Sequence, residues 1–242
     1  MLTQLKKIYI NEQFNPKILG LFINPFYFAR KGLYQNVSTL IPNLTGKLLD
    51  IGCGTKPYES LCNVDEYIGL EIDDEGNRNH SFADVFYDGK AIPFADKEFD
   101  SVISNQVFEH VFNPNEFLTE INRVTKTGGW LLMSVPFVWD EHEQPYDYAR
   151  YSSFGLKHIL LENGFEVVES RKSNDGLEVI FQLINDYIFK VTMTKNIYIN
   201  LLTTLFLMAP INIIGLIVSK ILPRNDDLYL DNIVLAKKVK DV

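Results

Sequence analysis

Residues 48–57 read Leu48-Leu49-Asp50-Ile51-Gly52-Cys53-Gly54-Thr55-Lys56-Pro57, an apolar run that ends in two closely spaced glycines. The apolar run predicts a buried β-strand, and the glycines predict a tight turn in which the backbone can approach a ligand closely. In a doubly wound parallel sheet, ligands bind beyond the carboxyl ends of the strands. We therefore expect a binding site at this turn.

From residue 47 onward, short apolar runs alternate with longer helical patterns. This alternation predicts a parallel sheet with crossover helices. Apolar residues at helical spacing predict one helix over 114–126, and a serine-capped apolar pattern predicts another after residue 152. The predicted strands cover residues 47–51, 67–72, 82–85, 100–104, 130–135, 165–170 and 228–237.

Composition and charge limit the classes of function. The chain has 242 residues and a net charge of -8, and residues 50–150 carry seven basic and twenty acidic side chains. Non-specific nucleic-acid binding needs an excess of Lys and Arg, so no nucleic-acid partner is expected. Cys53 lies between two glycines in the turn, an unfavourable place for a disulfide with Cys62. A reducing, cytoplasmic location is therefore expected.

The spacing of acidic residues around the glycine turn indicates the kind of cofactor. Glu71 ends the next predicted strand, 21 residues after Asp50, about the offset at which an acid binds ribose hydroxyls. A dinucleotide-binding turn would have a third glycine where this chain has Pro57. A positively charged cofactor with ribose and adenine but no phosphate suits the acidic segment better. S-adenosyl-L-methionine (SAM) meets these conditions.

Three further segments carry a resemblance to a known family. They are Asp88-Gly89-Lys90-Ala91-Ile92-Pro93-Phe94-Ala95-Asp96-Lys97-Glu98-Phe99-Asp100, Val107-Phe108-Glu109-His110-Val111, and Glu120-Ile121-Asn122-Arg123-Val124-Thr125-Lys126-Thr127-Gly128-Gly129. With them, residues 47–173 resemble class I SAM-dependent methyltransferases, most closely the type 11 subgroup. The resemblance implies a Rossmann-like, doubly wound, seven-stranded α/β sheet with an antiparallel last strand. It also implies SAM as the cofactor.

The resemblance also assigns roles around the cofactor. Asp50, Gly52 and Gly54 would face the methionine end of SAM, Glu71 the ribose, and Asp88 the adenine amino group. Asp84 competes with Asp88 for the last role, because the spacing after the third strand varies in such families. The full predicted cofactor set is Asp50, Gly52, Cys53, Gly54, Glu71, Ile72, Asp88, Gly89, Asn105 and Gln106.

The segment after the fifth strand, residues 136–151, is the predicted acceptor site because it combines aromatic and ionisable side chains. His142 is the predicted general base. Asp147 would orient the imidazole or act as the base itself, and Arg150 would pair with an anionic part of the acceptor. The alternative is a structural salt bridge between Asp147 and Arg150. No metal is expected, because Gln106 stands where metal-binding relatives with a Glu-x-x-Glu-His pattern carry the first carboxylate.

The remaining segments extend this core. We predict an N-terminal helical cap at residues 1–46, the SAM-binding core at 47–176, a hydrophobic helical insertion at 177–224, and the last strand with a basic tail at 225–242. Residues 197–219 carry no charge and are long enough to cross a bilayer. Pro210, Gly215 and the strand that follows argue against a single span. We expect peripheral contact with a membrane through residues 1–30 and 197–222 at its cytoplasmic face.

These patterns predict O-methylation of a small-molecule or glycan acceptor. A lipid-linked acceptor is included in this class. The rival interpretation is a non-catalytic SAM-fold module that binds a partner through the insertion. If the insertion does not contact a membrane, it would form a homodimer interface or a lid over the acceptor. Relatives that methylate nucleic-acid bases or side-chain amines usually carry an Asn/Asp-Pro-Pro-aromatic motif after the fourth strand. This chain reads Ser104-Asn105-Gln106-Val107 there, so methylation of protein or nucleic acid is not supported.

Overall fold

The structure, a computed structural model, describes residues 2–242, so that only residue 1 of the predicted N-terminal cap lies outside it. Seven strands form one sheet in the order β3-β2-β1-β4-β5-β7-β6. The strands are β1 Lys47–Ile51, β2 Glu66–Ile72, β3 Val85–Tyr87, β4 Phe99–Asn105, β5 Thr125–Pro136, β6 Phe165–Asp175 and β7 Tyr229–Lys238. Strands β1 to β5 are parallel, and the last strand runs antiparallel, which confirms the predicted Rossmann-like sheet.

Nine α-helices are assigned within residues 2–242. They are α1 Leu2–Phe14, α2 Gly20–Ile23, α3 Tyr27–Leu40, α4 Glu75–His80, α5 Pro114–Val124, α6 Ser153–Glu162, α7 Leu177–Thr192, α8 Ile197–Thr203 and α9 Ala209–Ile221. A π-helical segment, Thr204–Met208, joins α8 to α9. Helices α8 and α9 therefore form one helix, Ile197–Ile221, of 25 residues and mean hydropathy 2.3. By length and composition it could cross a membrane.

The chain divides into two compact units. The helical unit contains the described residues up to Gln35 together with Lys172–Asp231, and the sheet unit contains Asn36–Arg171 and Asn232–Val242. The predicted acceptor segment and the predicted cofactor residues all belong to the sheet unit.

The core of the sheet unit explains why its elements form where they do. Helix α5 begins at Pro114, whose fixed φ suits a first helical position. Its buried side chains Leu118, Ile121 and Val124 recur at helical spacing and join the apolar side chains of β1, β4 and β5. Each such side chain contributes about 1.5–3 kcal/mol when fully buried. This packing fixes the strand ends that form the site.

Several element boundaries differ from the sequence-based prediction, and β5 and β6 extend well beyond the predicted 130–135 and 165–170. The third strand is Val85–Tyr87 rather than 82–85, since Phe82 is 68% exposed and precedes the pairing of Val85 with Leu70. The helix predicted over 114–126 ends at Val124, because Thr125 begins β5. Within the predicted N-terminal helical cap, helices α2 and α3 are separated at Asn24, which is extended because Pro25 follows it.

Candidate active site

Five parallel strands end at one edge of the sheet, and the candidate site lies along this edge. Strand β1 lies between β2 and β4. The chain passes from β1 to β2 and β3 on one side and then crosses to β4 on the other side, so the strand order reverses beside β1. Ligands bind in the crevice at such a point in doubly wound sheets. The predicted cofactor residues lie at or just after the carboxyl ends of β1, β2, β3 and β4, so the structure brings them to one edge.

The turn after β1 requires glycine at its first position. Gly52 has φ +69°, and a Cβ there would lie 2.3 Å from Cγ2 of Val107. Gly54 has φ +47°, and a Cβ there would meet no atom within 4 Å. The turn is thus closed on the Val107 side and open beside Gly54, where a ligand has room to approach the backbone.

The Glu71 carboxylate is hydrogen-bonded to the glycine turn. Its Oε2 accepts a hydrogen bond from the Gly54 N–H at 3.0 Å, and its Oε1 accepts one from the Ile72 N–H at 3.1 Å. Burial raises the pKa of the Glu71 carboxyl above its usual range, although the two backbone donors oppose this shift. The Ile72 side chain is 46% exposed beside this carboxylate, an apolar surface at the edge of the site.

The structure distinguishes the two aspartates that competed for the adenine position. Asp84 accepts hydrogen bonds from Lys56 Nζ at 2.5 Å and from the Gly69 N–H at 2.7 Å. Asp88 is exposed after β3, and its Oδ1 accepts a hydrogen bond from the Lys90 N–H at 3.0 Å. Both side chains are exposed, but the Asp84 carboxylate ties the glycine turn to β2, whereas the Asp88 carboxylate accepts from a backbone N–H of its own loop.

Asp50 is buried under the turn. The Tyr67 hydroxyl donates a hydrogen bond to its Oδ2. Burial raises the pKa of Asp50 to about 7, although the Tyr67 hydrogen bond and the Lys56 charge oppose this rise. Burial also raises the pKa of the Cys53 thiol to about 12, so Cys53 is not a thiolate nucleophile at neutral pH. Tyr67 escaped the sequence prediction, because its contact depends on the register of β1 against β2.

Ser134 connects the ends of β4 and β5 and also escaped the sequence prediction. Its hydroxyl donates to Oδ1 of Asn105 and accepts a hydrogen bond from Nε2 of Gln106 at 3.2 Å. Gln106 has φ +56°, a left-handed conformation at the start of the turn that carries Val107 over Gly52. The predicted residues Asn105 and Gln106 are therefore held to β5 through one buried serine.

The acceptor segment after β5 holds an imidazole, a carboxylate and a guanidinium in contact. Nδ1 of His142 lies 3.2 Å from Oδ2 of Asp147, and this oxygen also accepts a hydrogen bond from the His142 N–H at 3.0 Å. Arg150 donates to both oxygens of Asp147, at 2.5 and 2.6 Å. These Arg150 hydrogen bonds are the main cause that lowers the pKa of Asp147 to about 2.

Arg150 makes further hydrogen bonds within the acceptor segment. Besides Asp147, its guanidinium donates to the carbonyls of Ala149 and Asp140, both at 2.9 Å. These contacts match the alternative reading of Asp147 and Arg150 as a structural salt bridge. An open cavity of about 210 Å³ lies beside them, lined by Trp139, Glu141, Asp147, Tyr148, Ala149 and Arg150.

The acceptor segment packs on the turn after β4, where a group of potential metal ligands gathers. The backbone N–H groups of Tyr148 and Ala149 donate to the Glu109 carbonyl at 2.9 and 3.2 Å. Oε1 of Glu109 lies 3.8 Å from Nε2 of His110 and 3.9 Å from Nε2 of His142. Residues 108–110 form a single 3-10 turn, and the next helix begins only at Pro114.

Ligand atoms of Glu109, His110 and His142 lie within 4.8 Å of one another and could hold a metal ion. Two atoms bound to one ion at about 2.1 Å lie at most about 4.2 Å apart. Both glutamate-to-histidine distances satisfy this limit. The absence of a metal stays a prediction from the sequence, and these three residues are the place to test it.

The sequence of this chain is similar to a family model and to several known proteins. Residues 26–170 match a family model described as a methyltransferase domain. An uncharacterised protein of Methanocaldococcus jannaschii is 31% identical over 53% of this chain and 68% of its own length. A fatty-acid O-methyltransferase of Mycolicibacterium smegmatis is 28% identical over 63% of this chain and 61% of its own length. Uncharacterised mycobacterial methyltransferases are matched over about two fifths of their length.

Solved structures share the fold at low sequence identity. A SAM-dependent methyltransferase from Archaeoglobus fulgidus has a TM-score of 0.53 and 20% identity, covering 96% of this chain and 99% of that one. Phosphoethanolamine N-methyltransferase 2 of Haemonchus contortus, solved with SAM, has a TM-score of 0.53 and 16% identity, covering 96% of this chain and 59% of that one. At these identities the likeness concerns the fold alone.

Proposed function

Because this chain belongs to the family of methyltransferase domains, we propose that it transfers a methyl group from SAM to an oxygen atom of a small-molecule or glycan acceptor. The observation that carries the proposal is the contact between His142 and Asp147, a residue that lines an open cavity in the segment after β5. This arrangement can remove a proton from a hydroxyl group. An alcohol acceptor needs such a base to remove its proton, whereas a carboxylic acid acceptor is already ionised.

The residues at the strand ends fit SAM as the cofactor. The space beside Gly54 admits a ligand close to the backbone, and Glu71 places a carboxylate next to it, suited to the two ribose hydroxyls. The exposed side chain of Ile72 offers an apolar surface for adenine, and Asp88 offers an acceptor for its amino group. The acidic sheet unit also favours a cationic cofactor. SAM supplies an electrophilic methyl group and leaves as S-adenosylhomocysteine.

His142 is the residue we assign to proton removal. An ionised Asp147 beside Nδ1 favours the tautomer with its proton on Nδ1, which leaves the lone pair of Nε2 free to accept a proton from the acceptor. Asp147 and the Glu109 carboxyl, 3.9 Å from Nε2, would stabilise the resulting imidazolium. Asp147 is therefore a positioning residue, and Arg150 positions Asp147 in turn.

The acceptor class rests on the cavity and on one relative. Trp139 and Tyr148 line the cavity with aromatic rings, which stack on sugar rings or other apolar groups. The M. smegmatis relative is named for O-methylation of a fatty acid, which supports oxygen as the acceptor atom and a lipid-linked acceptor as one candidate.

Turnover with a panel of acceptors tests the proposal. The purified chain is incubated with SAM and with hydroxylated glycans, lipid-linked sugars or fatty acids, and release of S-adenosylhomocysteine is measured with identification of the methylated product. We expect one acceptor class to be O-methylated, and we expect His142→Ala to abolish turnover while SAM affinity is kept. Methylation on nitrogen or carbon would overturn the assignment of oxygen. SAM binding without turnover on any acceptor would favour the non-catalytic binding module.

A further inference from the structure

The long helix α7 has an inverted distribution of polarity. Its fully or almost fully buried side chains include Gln182, Asn185 and Asp186. Its exposed side includes a stripe of large apolar residues at helical spacing: Ile180, Ile184, Tyr187 and Val191. A helix on the surface of a water-soluble domain places its apolar face inward. Helix α7 places several polar side chains inward and an apolar stripe outward.

The helix Ile197–Ile221 repeats this inversion. Its inward side includes Thr204 and Asn212 with the small residues Ala209 and Gly215. Only 28% of its most apolar stretch is buried inside the protein. The exposed apolar side chains are Ile197, Tyr198, Ile199, Leu201, Leu202, Leu205, Phe206, Leu207, Ile214, Ile217 and Ile221. No charged side chain occurs between Asn196 and Ser219 to solvate this surface.

The buried polar side chains join the helices of the helical unit to one another. Nδ2 of Asn185 donates to Oδ1 of Asn212 at 2.8 Å, and Nδ2 of Asn212 donates to the carbonyls of Leu21 and Asn24, both at 3.1 Å. Nε2 of Gln182 donates to the Pro25 carbonyl at 3.1 Å. Interhelical hydrogen bonds and small residues inside, with large apolar side chains outside, are the pattern of helices that pack in lipid.

The charges of the helical unit complement an anionic surface. This unit carries ten basic and seven acidic side chains, whereas the sheet unit carries thirteen basic and twenty-four acidic ones. Exposed Lys195 precedes the long helix, and exposed Lys220 lies in its last turn. Basic side chains that flank an apolar helical face bind the headgroups of anionic lipids.

The chain enters and leaves this region at one place. The Gly176 N–H donates to the Leu228 carbonyl at 2.8 Å, so the residues before α7 and after α9 are adjacent. We infer that α7 and the helix Ile197–Ile221 form a hairpin that inserts its exposed apolar faces into a bilayer with anionic headgroups. The hairpin begins and ends on the same side, so no single crossing is needed to bring the chain back to β7. The inference does not depend on which acceptor is methylated.

Flotation of the full chain with lipid vesicles tests the inference. Vesicles of phosphatidylcholine alone and of phosphatidylcholine with phosphatidylglycerol at a ratio of about 7:3 are compared at low salt. We expect binding to both, and stronger binding to the anionic vesicles. Phe206→Glu should weaken binding at least about tenfold, because it places a charge in the apolar face. Lys220→Gln should weaken binding to the anionic vesicles about fivefold and leave neutral vesicles unaffected.

A matched control separates lipid insertion from general damage. Phe154 of α6 is 85% exposed in the sheet unit, compared with 68% for Phe206 in the helical unit. Phe154→Glu should leave vesicle binding unchanged, and both variants should keep the melting temperature and SAM affinity of the parent. Failure of the parent protein to float with either vesicle would overturn the inference. A stable dimer in solution that Phe206→Glu dissociates, with no vesicle binding, would instead assign this surface to a second copy of the chain.

Discussion

Oδ2 of Asp147 lies 3.2 Å from Nδ1 of His142 and also accepts a hydrogen bond from the backbone N–H of His142 at 3.0 Å. One carboxylate oxygen therefore contacts both the backbone N–H and the imidazole of the same residue, and the imidazole Nδ1 also lies 3.3 Å from the Asp140 carbonyl oxygen. Arg150 binds both oxygens of Asp147 and keeps the carboxyl ionised. The orientation of His142 thus depends on a side chain that need not touch the acceptor.

Asp147→Asn tests this dependence. The amide keeps the size of the carboxyl but removes the charge that stabilises a protonated His142. We expect kcat to fall at least about tenfold, with SAM affinity unchanged. Asp65→Asn, an exposed aspartate elsewhere in the sheet unit, should leave kcat unchanged. Equal kcat values for Asp147→Asn and the parent would show that the salt bridge with Arg150 is only structural.

The two aspartates near β3 should behave differently when each is changed to alanine. Asp88→Ala should weaken SAM binding about tenfold without a large change in melting temperature, because its exposed carboxyl is free to face adenine. Asp84→Ala should lower the melting temperature, since it leaves Lys56 and the Gly69 N–H without their acceptor. Calorimetric titration and thermal unfolding of both variants make the comparison. Loss of SAM binding only in Asp84→Ala, with an unchanged melting temperature, would reverse the assignment.

We predict that Asp50 makes SAM binding depend on pH. Its pKa of about 7 lies above the usual range, so its carboxyl is mostly protonated below pH 7. A cationic cofactor favours the ionised form, and binding below pH 7 should release a proton. Affinity for SAM should therefore rise between pH 6 and pH 8, by up to about tenfold for each pH unit below the pKa, and then level off. Asp50→Asn should flatten this dependence, and a parent affinity that falls over this range would contradict the account.

Removal of metal ions by chelation tests whether His142 acts as a general base or as a metal ligand. The sequence predicts no metal, although Glu109, His110 and His142 lie close enough to be considered as ligands. Turnover should be unchanged after dialysis against EDTA, because His142 acts through its own lone pair. Loss of turnover that is restored by one divalent ion would assign His142 to a metal site and remove it as the base. His110→Ala would then lose turnover as well.

Much of the fold followed from local sequence, because strand patterns and glycine turns depend on neighbouring residues. The location of Glu71 at the same edge as the glycine turn was also predictable, since parallel strands end at one edge of a sheet, but its hydrogen bond with the Gly54 N–H was not predicted. The hydrogen bond from Tyr67 to Asp50 was not, because it depends on the register between β1 and β2. The burial of the polar face of α7 was also not predictable, because it depends on tertiary packing. Periodicity shows that Gln182 and Ile180 lie on different faces, but not which of them is buried.

The measurement that tests the central claim most directly is isothermal titration of the purified chain with SAM and S-adenosylhomocysteine, with NAD as a control. The account predicts micromolar binding of both sulfur ligands and no binding of NAD. It also predicts that Glu71→Ala weakens this binding at least about tenfold, because the carboxylate beside Gly54 no longer holds the ribose. No binding of either sulfur ligand by the intact chain would contradict the assignment of the strand-end residues as a SAM site.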